Sequence, residues 1–92
     1  MSGIKAVAVR VGGRVQGVSF RAWTQVEAQG RGLAGWVRNE ADGSVRAHLE
    51  GPARAVDAML AALHEGPPAA VVREVTVEQE AAEGGSRFEI RR

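Results

Sequence analysis

The sequence predicts an α+β fold of a single domain, residues 1–92, with strands and helices in the order β-α-β-β-α-β. Three observations predict it. Val7, Val9 and Val11 alternate with other residues in the manner of a strand; apolar residues recur at helical spacing after Phe20 and after Val56; and Asp42-Gly43 marks a tight turn between two further alternating runs. Each element follows from its local residues. Residues 4–11 read as a strand, with Val7, Val9 and Val11 on one face. The Gly-rich stretch 12–19 breaks the alternation and reads as a loop. From Phe20 the period lengthens through Trp23, Val26 and Glu27/Gly30, with Ser19 as the N-cap expected for a helix that fades at Gly30–Gly32. The glycines of Gln29-Gly30-Arg31-Gly32 are expected to loosen that end.

Residues 33–39 form the second predicted strand, with Leu33, Gly35, Val37 and Asn39 opposite Trp36 and Arg38. Gly43 accepts the positive φ a hairpin turn demands. The third strand, 44–50, sets Val45, Ala47 and Leu49 against Arg46, His48 and Glu50. Gly51-Pro52 opens a second helix whose buried stripe is Val56, Met59, Leu60 and Leu63, and Gly66-Pro67-Pro68 ends it. A fourth strand is expected at 70–79, with Val75 and Val77 inward. Ala82–Gly85 reads as a loop and Phe88–Arg91 as a short edge strand. This order is the split-βαβ, ferredoxin-like pattern, for which an antiparallel sheet with both helices on one face is expected.

Composition narrows the function. Twelve basic residues meet eleven acidic ones, for a formal charge of +1, and they are dispersed along the chain. That balance argues against a nucleic-acid surface, which concentrates positive charge on one face. The predicted strands 4–11 and 44–50 also lack the aromatic residues on which an RNA-binding sheet stacks bases. With no cysteine there is no thiolate nucleophile, disulfide or cysteine-ligated metal, which is compatible with a cytoplasmic protein. No apolar run approaches the ~20 residues of a membrane helix, and no signal peptide is apparent. No nucleic acid, membrane, metal or cofactor is therefore expected, and a monomer is the default for this size and charge.

Two segments carry chemistry. Gly13-Arg14-Val15-Gln16-Gly17-Val18-Ser19-Phe20-Arg21 joins a strand to a helix N-terminus. In such a loop successive N–H groups can turn toward an anion, the helix adds partial positive charge, and Arg21 can fork onto phosphate oxygens. The same residues also suit a plain glycine-rich connection with a solvated arginine. The segment is neither a Walker loop nor a dinucleotide fingerprint. In the second segment, Gly35 to Gly43, Asn39 and Asp42 are turn residues on one reading, while on the other Asn39 is a fixed amide able to hold a water. His48 and His64 make no metal pair by spacing, His64 suits a helix C-terminus, and Glu27 and Glu50 read as solvated. Trp36 is open between a place beside the site and one at the sheet edge.

Taken together, Gly13–Arg21 and Gly35-Trp36-Val37-Arg38-Asn39, with Asp42-Gly43 and Val45 following, resemble the two signatures of the acylphosphatase family. Gly51-Pro52, Gly66-Pro67 and Phe88-Glu89-Ile90-Arg91 extend the resemblance over nearly the whole chain. It implies the acylphosphatase-like version of the ferredoxin-like sandwich. It implies hydrolysis of acyl phosphates to carboxylate and inorganic phosphate, without metal or covalent intermediate, and with broad tolerance of the acyl group. It implies that Arg21 binds the phosphoryl group, that Asn39 orients the attacking water, and that the backbone N–H groups of Val15, Gln16, Gly17, Val18, Ser19 and Phe20 line the phosphate cradle. A non-catalytic phosphate- or acyl-phosphate-binding module of the same fold is the alternative. Acylphosphatase-like domains also occur fused at the start of carbamoyl-transfer maturation proteins; a stand-alone enzyme is expected here.

Overall fold

The computed structural model describes residues 3–92. Its elements are β1 (Ile4–Arg14), α1 (Phe20–Gly30), β2 (Ala34–Asn39), β3 (Val45–Pro52), α2 (Ala53–Glu65), β4 (Val71–Gln79) and β5 (Phe88–Arg91). They form one five-stranded sheet in the order β4-β1-β3-β2-β5. The predicted order is present, with both helices packed on one face. Val7, Val9, Val11, Val37, Val45, Ala47 and Leu49 supply the sheet side of the core, and Phe20, Ala28, Val56, Met59 and Leu63 the helix side. Burying each of the larger of these side chains contributes about 1.5–3 kcal/mol, so this layer is what holds the two halves of the chain together.

The sheet is not wholly antiparallel, as expected, but mixed. β1–β3, β1–β4 and β2–β3 are antiparallel, whereas β5 runs parallel to β2, with Gly35 beside Phe88 and Arg38 beside Arg91. The cause is the connection after β4. Residues 80–87 cross the helix-free face of the sheet, from Glu80 N–H on Ala6 to Gly35 N–H on the Arg87 carbonyl. They deliver the last strand at the far edge, aligned with β2.

β1 is longer than the alternation indicated. Gly12 and Gly13 read as loop, yet they pair with β4 through a bulge. Gly13 has φ +126, and a Cβ there would lie 2.2 Å from the Val71 carbonyl oxygen, so a glycine is what lets the strands close. The bulge skips Arg73 and turns both Val72 and Val75 toward the core. Val77, expected inward, is 41% exposed on the edge strand β4, two residues beyond Val75, which packs against the core.

α1 buries Phe20, Thr24 and Ala28, with Trp23 partly packed, while Val26 faces solvent at 65% exposure. The buried stripe thus runs one residue beside the one read from apolarity alone, because Thr24 satisfies its hydroxyl on the Phe20 carbonyl and can be buried. The glycine-rich end of α1 is held rather than loose. Arg31 and Gly32 N–H groups bond back into the last turn, and Arg31 pairs with Glu27 at 2.7 Å.

Candidate active site

Three elements meet at one end of the sheet: the loop leaving β1, the first turn of α1, and the last residue of β2. Val15 and Phe20 are almost fully buried at the two ends of the loop, and Val18 packs between them against the core. With these side chains anchored, the backbone is left to face outward. Gly17 (φ +74) and Ser19 (φ +62) are both left-handed. Alternating left-handed residues give the concave run of N–H groups that accepts anions. Among the described residues, no backbone N–H from Gln16 to Ala22 donates to a protein acceptor; the helix ladder begins with Trp23 N–H on the Ser19 carbonyl. Those free donors coincide with the positive end of the α1 dipole.

Ser19 stands at the N-cap position as expected, but its side chain caps nothing. Its left-handed backbone continues the run of uncommitted N–H groups, and a capping hydroxyl would occupy one of those donors. A non-glycine residue in this conformation carries about 1–2 kcal/mol of strain. Glycine would relieve it at the expense of unfolded-state entropy. Ser19→Gly is therefore expected to stabilise by up to about 1 kcal/mol, raising Tm by about 4–8 °C per kcal/mol in a domain of this size. A fall in Tm measured by thermal unfolding would show that the serine makes a compensating contact.

Arg21 is half-buried, and one of its N–H groups donates to the Arg91 carbonyl of β5 at 3.1 Å. Among the described residues it has no carboxylate partner, so its charge is open to an anion. Asn39 ends β2 with its amide Oδ1 buried and without a partner. An orphaned buried acceptor costs about 1–3 kcal/mol, and a water beside it would recover that. A cavity of about 230 Å³ lies between these groups, lined by Val15, Gln16, Gly17, Ser19, Phe20, Arg21, Ala22, Asn39 and Ile90. The structure thus brings Arg21, Asn39 and all the expected loop residues except Val18 to one cavity. Val18 contributes from beneath, as packing.

Sequence named Gln16 only for its backbone and did not name Ile90 as a site residue. The Gln16 side chain donates to the carbonyls of Glu40 and Ser44, both at 2.8 Å, and so ties the cradle to the β2–β3 turn beside Asn39. Ile90 closes the cavity from β5. A glutamine inside a glycine-rich loop carries no signal of such a long-range bond. Asp42 is a turn residue, as one reading held: it accepts from Ser44 N–H and Oγ, and pairs with Arg10 of β1. His64 bonds the Leu60 carbonyl at 2.9 Å near the C-terminus of α2. Glu50 is not solvated but 6% exposed, held against His48 on the helix-free face, and Trp36 is buried there as well, stacked on the His48 ring.

Fold and site together define a small ferredoxin-like α+β domain with a pocket at one end of its sheet, lined by the β1–α1 loop, Arg21 and Asn39. The acylphosphatase family model matches residues 7–90, and the chain belongs to that family. It is 54% identical to an acylphosphatase of Rubrobacter xylanophilus over 95% of this chain and 80% of that one. It is 52% identical to an acylphosphatase of Rhizobium meliloti over 96% of this chain and 94% of that one. The crystal structure of acylphosphatase from Bacillus subtilis superposes with a TM-score of 0.93 at 40% identity, covering 98% of this chain and all of that one. The activity that this membership carries is hydrolysis of acyl phosphates.

Proposed function

We propose that acyl phosphates are hydrolysed in the cavity between the Val15–Phe20 loop and Asn39. In this reading the free N–H groups of the loop and Arg21 hold the phosphoryl oxygens, and the Asn39 amide holds the attacking water. The observation that carries it is that Asn39, whose Oδ1 has no protein partner, lines a cavity whose other walls supply uncommitted N–H donors and a cation.

The chemistry asks for little more. The water oxygen forms a bond to phosphorus as the bond from phosphorus to the carboxyl oxygen breaks, and that electron pair leaves with the carboxylate. A carboxylic acid has a pKa of about 4, so the leaving group departs unprotonated and no general acid is needed. An amide is not basic, so Asn39 orients the water without taking its proton, which passes to a phosphoryl oxygen. The transition state of phosphoryl transfer is loose, and catalysis rests on placement and charge. Donors fixed before the reaction begins are worth most there, because no reorganisation is required as charge spreads over the phosphoryl oxygens.

The same reading has residues 1–92 act as one domain and as a monomer on small acyl phosphates, in the cytoplasm, gripping the phosphoryl end and tolerating varied acyl groups. The absence of cysteine is compatible with that compartment. No described helix is long and apolar enough to cross a membrane.

The test is an NMR titration with inorganic phosphate, with chelator present, alongside turnover of benzoyl phosphate under the same conditions. Shifts are expected to cluster on the amides of residues 16–22 and on the Asn39 side chain, with brisk turnover. Turnover accompanied by phosphate shifts elsewhere in the chain would relocate the site. Phosphate bound here by a folded protein without turnover would make this pocket a binding module.

A further inference from the structure

The mechanism makes no use of His48, yet this residue is fully buried in the middle of β3, on the face away from the helices. Both of its ring nitrogens meet carboxylates. Nε2 lies 2.6 Å from Glu50 Oε1, and Nδ1 is hydrogen-bonded to Glu80 Oε2. Glu83 brings a third carboxylate to 3.9 Å from Nδ1. A neutral imidazole has a single N–H, so one of the two close contacts would set a lone pair against a carboxylate oxygen. The doubly protonated ring satisfies both. Glu50 is itself fixed by the backbone N–H groups of Glu83 (2.7 Å) and Gly84 (3.0 Å).

The groups facing the ring from other elements do not cancel this charge. On β1 the register partner is Ala8, which is uncharged. On β2 the Trp36 ring stacks on it at 6.4 Å and 18°. Beside Ala8 on this face β4 sets Glu78, a further carboxylate; Arg46 lies two residues along β3, and Arg38 and Arg91 are packed against Trp36, 5.0 and 4.9 Å from the centre of its ring. Burial alone would push the His48 pKa down; the hydrogen bonds to Glu50 and Glu80 and the charges of Glu83 and Glu80 outweigh it and raise the pKa above its ordinary 6.5. Burial would raise Glu50, but the bonds from His48 and from the Glu83 and Gly84 N–H groups bring it below 4.5.

What this cluster holds is the segment crossing the sheet. Residues 80–84 are fastened to β3 through His48 and Glu50, and the same segment leads into β5. β5 contributes Ile90 to the phosphate cavity and the Arg91 carbonyl to Arg21. The Arg91 guanidinium meanwhile packs on the Trp36 ring, which is stacked on His48.

We infer that the imidazolium of His48 is a positioning residue for the phosphate site: it clamps residues 80–84 to β3 and backs Trp36, and thereby fixes β5 and, through Arg91, the guanidinium of Arg21. This rests on Arg21 being the phosphoryl-binding group. A group whose pKa is raised on folding gives its full contribution below its unfolded value and loses it as pH rises through the folded value. The clamp is therefore whole in mildly acidic solution and relaxes on the alkaline side of the His48 titration.

The experiment compares wild type, Glu80→Gln and His48→Gln, measuring kcat and KM for benzoyl phosphate and Ki for inorganic phosphate from acid to alkaline pH, with the His48 ring protons followed by NMR. Glu80→Gln keeps the shape and an acceptor while removing one carboxylate, so His48 loses its proton at lower pH. The ratio of variant to wild-type kcat/KM at each pH cancels the ionisation of the substrate. That ratio is expected near one where His48 is charged in both proteins, and to fall about fivefold or more in the window where it is charged only in wild type, in keeping with ordinary coupling between sites. His48→Gln is expected to lose the corresponding pH step. A clamp that only stabilised the fold would lower Tm in both variants and leave the ratio flat through that window. A flat ratio, with the NMR titration shifted, overturns the inference; if His48→Gln does not fold, Glu80→Gln decides alone. Should Arg21→Ala retain wild-type turnover, the reading of the site fails instead, and the two failures are told apart.

Discussion

Arg21→Ala is expected to lower kcat/KM for an acyl phosphate by about 10³–10⁵-fold, the range an arginine supplies at a transferring phosphoryl group. That corresponds to about 4–7 kcal/mol of transition-state stabilisation. So large an effect is assigned to one side chain because its charge is otherwise unspent. Arg21 donates to a backbone carbonyl and has no described carboxylate partner, so its removal strands no buried charge and leaves the core untouched. The loss should appear in kcat and in the inhibition constant of phosphate, with Tm changed little. Arg21→Lys should recover only part of it, since an ammonium cannot reproduce the two-pronged grip of a guanidinium. A folded Arg21→Ala protein within tenfold of wild type would remove the arginine from the mechanism.

Asn39→Ala is expected to reduce kcat by about 10²–10³-fold, as the loss of a single positioning group does elsewhere, while inorganic phosphate binds as before. The two variants thus separate the roles: one loses affinity and turnover, the other turnover alone. The structure adds a consequence for stability. Oδ1 of Asn39 accepts no hydrogen bond from the protein, so deleting the amide breaks no bond within the fold and costs only a modest loss of packing. Thermal unfolding of Asn39→Ala should therefore give a Tm close to that of wild type. A drop in phosphate affinity equal to the drop in kcat would make Asn39 a phosphate ligand rather than a water holder.

Much of this was legible in the amino-acid sequence. The valine alternation in β1 and the apolar spacing in α2 are local signals of burial, and they placed the core without any knowledge of partners. The resemblance of Gly13–Arg21 and Gly35–Asn39 to two family signatures indicated residues that the structure brings to one cavity. What local patterns could not carry was pairing between distant segments. Gly12 and Gly13 look like loop because their strand character depends on Glu74 and Val72. β5 gives no clue to its direction, which is set by where residues 80–87 cross. Glu50 read as solvated, and the burial of His48 gave no signal, because the segment that covers them lies more than thirty residues further along. Val26 was misplaced for a simpler reason: on a short helix an apolar side chain can be exposed while a hydrogen-bonded threonine is buried.

The position of β1 between β3 and β4 has a consequence for how the chain reaches this state. β1 emerges first from the ribosome, yet one of its two neighbours, Val71–Gln79, is made only when most of the chain already exists. Pairing over such separations delays folding, because loop-closure entropy is lost before the contacts that offset it can form. During synthesis the apolar face of β1 can be shared only with the earlier elements α1, β2, β3 and α2. The edge that β4 later covers, Val7 to Arg14, stays open until the last third of the chain arrives. Arg10 and the weak strand formers Gly12 and Gly13 along that edge keep it a poor template for the strands of other molecules in the meantime.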